Sequence, residues 1–88
     1  MTDIGAAGAS PARVTLLTRE GCHLCEQVEA VVATVCAAGG FGWREVDVDS
    51  DPDLRSEYGD QVPVVLVDGE FFASYRLDAS ALSAALSD

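Results

Sequence analysis

The chain has no lysine, and its five arginines stand against 15 acidic residues, which gives a formal net charge of −10. Proteins that bind nucleic acid or an anionic membrane surface place cationic side chains opposite the phosphates. The shortage of cations therefore excludes nucleic acid and membranes as expected partners. Acidity on this scale favours solubility, and it also suits a basic protein partner.

Long apolar segments are missing as well. No segment approaches the ~20 consecutive apolar residues that a membrane-spanning helix needs. Residues 1–12 have neither the basic start nor the apolar centre of an export signal, so we expect a cytoplasmic protein. We also expect these small residues to form a disordered N-terminal tail, and 88 residues leave room for one domain, over residues 13–88.

Cysteine is scarce, with three residues in the chain. Without an export signal, so few thiols indicate reduced cysteines that cycle rather than a structural disulfide framework. Two of them form the C-x-x-C motif Cys22-His23-Leu24-Cys25, between a strand-like run at 13–18 and a helix-like run that starts near His23. Unpaired N–H groups at a helix N-terminus stabilise a thiolate on Cys22, and Cys25 lies one turn further on the same face. The motif predicts a thiol–disulfide site.

The same spacing forms half of many zinc sites, so a metal is the competing interpretation. Zinc takes four ligands, and only His23 and Cys36 remain to complete the set. His23 lies between the two cysteines, and Cys36 lies about 16 Å from Cys25 along the helix. We therefore expect no metal site within one chain, although a zinc or iron–sulfur site shared across a dimer stays open. Cys36 is too far for a disulfide with Cys25 and is expected to be a buried apolar residue.

The hydrophobic periodicity predicts the element order β-α-β-α-β-β-α. The predicted strands cover 13–18, 41–48, 64–67 and 70–75, and the last two are joined by a turn at Asp68-Gly69. The first predicted helix runs from near His23 to about Ala38, and its polar face carries Glu26, Gln27, Glu29 and Thr34. The second runs from Pro52 to about Tyr58, with Asp51 as its N-cap. The third begins after an N-cap at Asp78 or Ser80. Because a strand–helix–strand unit has parallel strands and a right-handed crossover, we expect a four-stranded mixed sheet with helices on both faces.

Three segments carry a family resemblance: 17–25 (Leu-Thr-Arg-Glu-Gly-Cys-His-Leu-Cys), 45–52 (Glu-Val-Asp-Val-Asp-Ser-Asp-Pro) and 61–65 (Gln-Val-Pro-Val-Val). A C-x-x-C motif followed ~35–40 residues later by Val-Pro at a strand start is far more specific than either motif alone. Over roughly residues 13–87 the chain resembles glutaredoxins and their thioredoxin-fold relatives, especially the small glutaredoxin-like proteins of bacteria. The resemblance implies an α/β, thioredoxin-like fold of glutaredoxin type, with a four-stranded mixed sheet flanked by three helices.

The resemblance also implies roles for individual residues. Cys22 would attack a substrate disulfide and Cys25 would resolve the product. Pro63 would be in the cis form and Val62 would present its backbone to an extended substrate. Arg19, three residues before Cys22, would lower the pKa of the thiol and meet a glutathione carboxylate. His23 has two interpretations, either as a group that stabilises the thiolate when protonated or as an exposed residue at the helix start.

The sequence thus predicts a monomeric thiol–disulfide oxidoreductase with no bound cofactor. Its expected partners are protein or small-molecule disulfides, with glutathione or a thioredoxin-reductase-type donor as the reductant. The alternative is a non-catalytic thioredoxin-fold module that binds an extended peptide along Val62 and Pro63. In that alternative the dithiol is idle or acts as a redox switch.

Overall fold

The computed structural model describes residues 12–87. The predicted N-terminal tail therefore lies outside the described residues, except for Ala12, which begins the first strand. The elements are β1 (Ala12–Thr18), α1 (His23–Gly39), β2 (Gly42–Asp47), α2 (Pro52–Tyr58), β3 (Val64–Val67), β4 (Glu70–Ser74) and α3 (Ala79–Ser87). The predicted order is confirmed. The second strand was predicted to reach Val48, but Val48–Ser50 forms a short 3-10 turn before α2.

The four strands form one mixed sheet in the order β2-β1-β3-β4. β1 pairs in parallel with β2 and antiparallel with β3, and β3 pairs antiparallel with β4. β1 therefore lies inside the sheet with both faces covered, which explains its nearly continuous apolar sequence. The predicted four-stranded mixed sheet is confirmed.

The two faces of the sheet carry two separate groups of buried side chains, because successive strand residues point to opposite faces. On one face, β1 and β3 pack against α1 and α3 through Val14, Leu16, Val65, Val28, Val32, Val35, Cys36, Leu82 and Leu86. On the other face, Leu17 and Val64 pack with Val48, and the partly buried Leu54 and Tyr58 bring α2 onto them. Helices thus cover both faces, as predicted.

Cys36 lies within the larger core and is 1% exposed. It is a free thiol, and its burial raises the pKa of that thiol. The prediction that Cys36 is a buried apolar residue is confirmed.

The hairpin between β3 and β4 is tied to the rest of the fold by Arg13 of β1. Asp68 and Gly69 both have positive φ, 52° and 85°, as a two-residue turn of this kind requires. The Arg13 guanidinium donates to both Asp68 carboxylate oxygens at 3.0 and 2.8 Å and to the Leu86 carbonyl of α3 at 2.8 Å. One side chain thereby joins the first strand, the hairpin and the last helix. Within residues 12–87, no helix is long and apolar enough to cross a membrane.

Candidate active site

The C-x-x-C motif lies where β1 turns into α1. Gly21 has a φ of 81°, a conformation that glycine adopts without steric cost, and it sets the turn just before the helix. Cys22 is the N-cap of α1, and its sulfur accepts a hydrogen bond from the Cys25 backbone N–H at 3.1 Å. The Cys22 sulfur is therefore held at the positive end of the helix dipole.

Cys22 and Cys25 are joined by a disulfide, with their Cα atoms 5.3 Å apart. Cys22 is partly exposed, whereas Cys25 is 4% exposed and lies beneath it in the first turn of α1. A molecule that approaches from solvent therefore meets the Cys22 sulfur first. The pair is a disulfide between one accessible and one sheltered cysteine.

Both cysteines line a groove of about 580 Å³ between α1, β2 and the turn that follows β1. Trp43 of β2 packs against the core under α1. Because alternate residues of a strand point to the same face, Glu45 and Asp47 also face the α1 side of the sheet. The complete lining is Thr18, Arg19, Glu20, Gly21, Cys22, Cys25, Glu26, Glu29, Glu45 and Asp47. Half of these ten residues are carboxylates.

Arg19 is the cation of this lining, and it is already paired. Its Nε donates to an Asp49 carboxylate oxygen at 3.0 Å, and another guanidinium nitrogen donates to the Gly59 carbonyl at 3.3 Å. These two contacts attach the turn before Cys22 to the 3-10 turn and to the end of α2. The structure therefore places Arg19 in the groove with its charge directed at Asp49.

Of the six residues predicted for the site, Arg19, Cys22 and Cys25 line the groove, and His23, Val62 and Pro63 do not. His23 is the exposed first residue of α1. The sequence assigned Glu26 and Glu29 only to the polar face of α1 and gave Glu45 and Asp47 no part in a site. Their placement follows from the parallel pairing of β1 with β2, which brings the side chains of β2 next to the first turns of α1.

The peptide bond between Val62 and Pro63 is cis, which confirms the expectation from the resemblance. Tyr75 holds this segment by two hydrogen bonds. The Tyr75 N–H donates to the Pro63 carbonyl at 2.9 Å, and its hydroxyl donates to the Asp60 carbonyl at 2.7 Å. Tyr75 has a φ of 67°, which is unusual for a bulky side chain, and the two hydrogen bonds help to hold it there.

A second groove, of about 410 Å³, lies against the same helix and is more apolar in composition. It is lined by Leu24, Gln27, Val28, Val31, Tyr75, Arg76 and Leu77. Leu24 and Tyr75 are 45% and 48% exposed, which is high for large apolar side chains. Over residues 12–87, no cluster of three or more His, Cys, Asp or Glu side chains is arranged to hold a metal ion.

A mixed sheet with a C-x-x-C disulfide at the start of α1 and a cis-proline before β3 defines a thioredoxin-like fold with a redox-type dithiol. Residues 13–87 match the family model described as Glutaredoxin-like domain (DUF836), and the chain belongs to that family.

Three known proteins illustrate the likeness. The uncharacterized protein Rv0508 of Mycobacterium tuberculosis is 39% identical over 77 residues, which cover 82% of this chain and 79% of the relative. The crystal structure of protein XcR50 from X. campestris is 34% identical with a TM-score of 0.68, and the match covers 84% of this chain and 95% of XcR50. The holo form of glutaredoxin C1 from Populus tremula x tremuloides, at 22% identity and a TM-score of 0.57, shares the fold over 89% of this chain and 79% of its own.

Proposed function

We propose that this protein is a thiol–disulfide oxidoreductase in which Cys22 is the attacking and Cys25 the resolving cysteine. The observation that carries the proposal is the unequal exposure of two sulfurs within bonding reach at a helix N-terminus. The family and the fold support a redox role of this general kind.

The proposed reaction begins with both cysteines reduced. The Cys22 thiolate attacks one sulfur of a substrate disulfide, the substrate S–S bond breaks, and the departing sulfur leaves as a thiolate that takes up a proton. Cys22 is then joined to the other half of the substrate. Cys25 loses its proton and attacks the Cys22 sulfur, which releases the second substrate thiolate and forms the Cys22–Cys25 disulfide. Two electrons pass from the protein to the substrate. Of the two protons that the substrate thiolates take up, Cys25 supplies one and the solvent supplies the other.

The first turn of α1 supports both steps. The Cys25 N–H at 3.1 Å and the helix dipole stabilise negative charge on the Cys22 sulfur, both when it attacks and when it is the leaving group. Burial keeps Cys25 away from other disulfides, so that its main reaction partner is the sulfur one turn away. A thiol reductant, glutathione or a thioredoxin-reductase-type donor, returns the disulfide to the dithiol in the cytoplasm.

The proposal gives supporting roles to Val62 together with Pro63, to Arg19 and to His23. The Val62 backbone beside Pro63 is the proposed contact for an extended substrate, in the manner of an added strand. Arg19 positions the turn before Cys22 through its ion pair with Asp49. His23, exposed next to Cys22, is the proposed contact for the leaving half of the substrate.

The direct test is a single-turnover reaction between the reduced protein and a disulfide-bonded peptide. We expect Cys22→Ser to lower the release of peptide thiols to the uncatalysed rate. We expect Cys25→Ser to accumulate a covalent protein–peptide disulfide that mass spectrometry detects. Cys36→Ala is the matched control, because it removes the thiol that lies in the core and away from the groove. Thiol release by Cys22→Ser at the rate of the unmodified protein contradicts the proposal.

The second candidate function is a peptide-binding module, which the exposed apolar side chains Leu24 and Tyr75 favour. An isothermal titration with an extended apolar peptide, repeated with the Leu24→Ser variant, measures this. Binding by a protein that reduces no disulfide supports the module over the enzyme.

A further inference from the structure

The charge of the groove bears on the substrate class. Glu26 and Glu29 lie three residues apart on α1, Glu45 and Asp47 lie on the facing strand, and Glu20 belongs to the turn beside Cys22. Three elements therefore contribute acidic residues to the groove that both cysteines line, on one side of the Cys22 sulfur. In such a cleft, like charges add to a field that attracts the opposite charge and repels its own.

The chain supplies little cationic charge to cancel this field. Arg19 is bonded to Asp49, and among residues 12–87 the other arginines lie outside the lining of the groove. Arg44 is the arginine next to Glu45 on β2, but its side chain points to the opposite face of the sheet. It donates a hydrogen bond to the Thr15 hydroxyl at 3.3 Å. Asp47 accepts a hydrogen bond from the Asp49 N–H, which keeps its carboxylate in place but leaves its charge.

Thr18 points to a polar ligand independently of the acidic residues. It is the last residue of β1, it is 8% exposed, and it lines the groove beside the two cysteines. Among the side-chain hydrogen bonds of residues 12–87, none involves its hydroxyl. A buried hydroxyl without a partner is costly, so this position is suited to a hydrogen-bonding group of an incoming molecule.

We propose that the substrate of this site is a peptide disulfide in a basic segment of a partner protein, with lysine or arginine close to the reacting cysteine. This inference rests on the proposed function and specifies its substrate. The basic side chains lie against Glu26, Glu29, Glu45 and Asp47 while the peptide sulfur reaches Cys22. A groove of about 580 Å³ has room for several side chains. Glutathione disulfide, which carries a net negative charge at neutral pH, is disfavoured.

The reaction is the one given above. The Cys22–Cys25 dithiol supplies two electrons to the S–S bond of the peptide, and the peptide leaves as two thiols. The groove acts before this chemistry, because opposite charges raise the rate of encounter and lengthen the stay of the bound peptide. Its contribution therefore depends on ionic strength.

The experiment uses three disulfide-bonded peptides that differ only in flanking residues, which are lysine, glutamine or glutamate, together with glutathione disulfide. The second-order rate constant for oxidation of the reduced protein is measured at low and high salt. We expect the lysine peptide to react at least about tenfold faster than the glutamate peptide at low salt, with the difference shrinking at high salt. We expect glutathione disulfide to react more slowly than the lysine peptide.

The variant pair tests the groove itself. Glu29→Gln with Glu45→Gln removes one carboxylate from each wall, and we expect the lysine-to-glutamate rate ratio to fall severalfold. Glu57→Gln with Glu70→Gln is the matched control, because it also changes one helix and one strand residue and shifts the net charge equally, but lies outside the groove. We expect this control to keep the ratio close to that of the unmodified protein.

Two failures are distinguishable. If all disulfides react at similar rates, if glutathione disulfide is fastest, or if the two double variants lower the ratio equally, the substrate class is wrong and the oxidoreductase proposal stands. If no disulfide oxidises the reduced protein above the uncatalysed rate, both proposals fail together.

Discussion

The sulfur of Cys22 has two tasks at the residue scale. It accepts the Cys25 N–H as the N-cap of α1, and it is the atom that we propose to react. Serine at position 22 keeps a capping oxygen but no sulfur nucleophile, whereas alanine removes both. Serine is therefore the variant that separates chemistry from helix stability.

The sequence was sufficient to predict the C-x-x-C redox motif and the burial of Cys36, because both predictions follow from the spacing of residues along one helix. It was not sufficient to find the partner of Arg19. Asp49 lies 30 residues further along the chain, and its carboxylate reaches Arg19 only because the chain forms a 3-10 turn after β2.

Burial should make Cys36 unreactive in the native protein. In the oxidised protein it is the remaining free thiol among residues 12–87, and its burial, which raises the pKa of the thiol, disfavours the reactive thiolate. We expect an aromatic disulfide reagent to modify no thiol in the folded protein at pH 8 and one thiol in denaturant. Cys36→Ala should show none in either condition. Native modification at the rate of free cysteine contradicts the burial.

At the scale of elements, α2 is held by its ends more than by its core contacts. It has seven residues and none of them is fully buried. The Asp51 carboxylate accepts the Asp53 N–H at 2.8 Å, and Pro52 occupies the first turn. Helices of this length are marginal without such support.

The boundaries of α2 were predictable from Asp51 and Pro52, because capping chemistry is local. The end of β2 was not, because Val48 is β-branched and apolar and so is typical of a strand. The Asp47 carboxylate accepts the Asp49 N–H, and the Asp47 carbonyl accepts the Ser50 hydroxyl. These two bonds close the 3-10 turn, and Val48 is buried in the smaller core instead.

Loss of the Asp51 cap should destabilise the protein. We expect Asp51→Ala to lower the free energy of unfolding by about 1 kcal/mol, as is typical for an N-cap aspartate, measured by urea denaturation. Asp51→Asn should restore most of the loss, because an asparagine oxygen caps equally well. An asparagine variant as unstable as the alanine variant contradicts a capping role for this side chain.

At the scale of the whole molecule, Arg13 joins elements from the two ends of the described chain. Its hydrogen bonds to Asp68 hold the pKa of that carboxyl below its usual range, and those bonds raise the pKa of Arg13 in turn. Because the folded pKa of Asp68 is the lower one, its contribution to stability is present above the unfolded value, near pH 4. The contribution is lost as the pH falls through the folded value.

We therefore expect Asp68→Asn to be less stable than the unmodified protein at pH 7, with the difference disappearing as the pH is lowered below about 4. Asparagine tolerates the positive φ of this turn position, so the turn itself is retained. Thermal denaturation over a pH series measures the effect, and Glu70→Gln in the same hairpin is the control. A difference that persists undiminished at pH 2 contradicts an ionic origin.

The topology of the sheet was predictable because the helices and strands have clear hydrophobic periodicity and the turns contain typical turn residues, such as Asp68-Gly69. The acidic groove was not, because it depends on which faces of α1 and β2 meet across the β1–β2 pairing. Side chains that appear in the sequence as ordinary polar positions become one surface only after the chain folds.

β2 is also the outermost strand on its side of the sheet, next to β1 alone. An outer strand offers unpaired backbone groups to any other chain, and charged side chains on such a strand oppose aggregation. Arg44, Glu45 and Asp47 are exposed on this strand. Two of the carboxylates that give the groove its charge therefore also oppose the pairing of this sheet edge with another chain. If the proposed substrate preference holds, we expect it to be linked to resistance to self-association, so that a change of Glu45 that relaxes the first weakens the second.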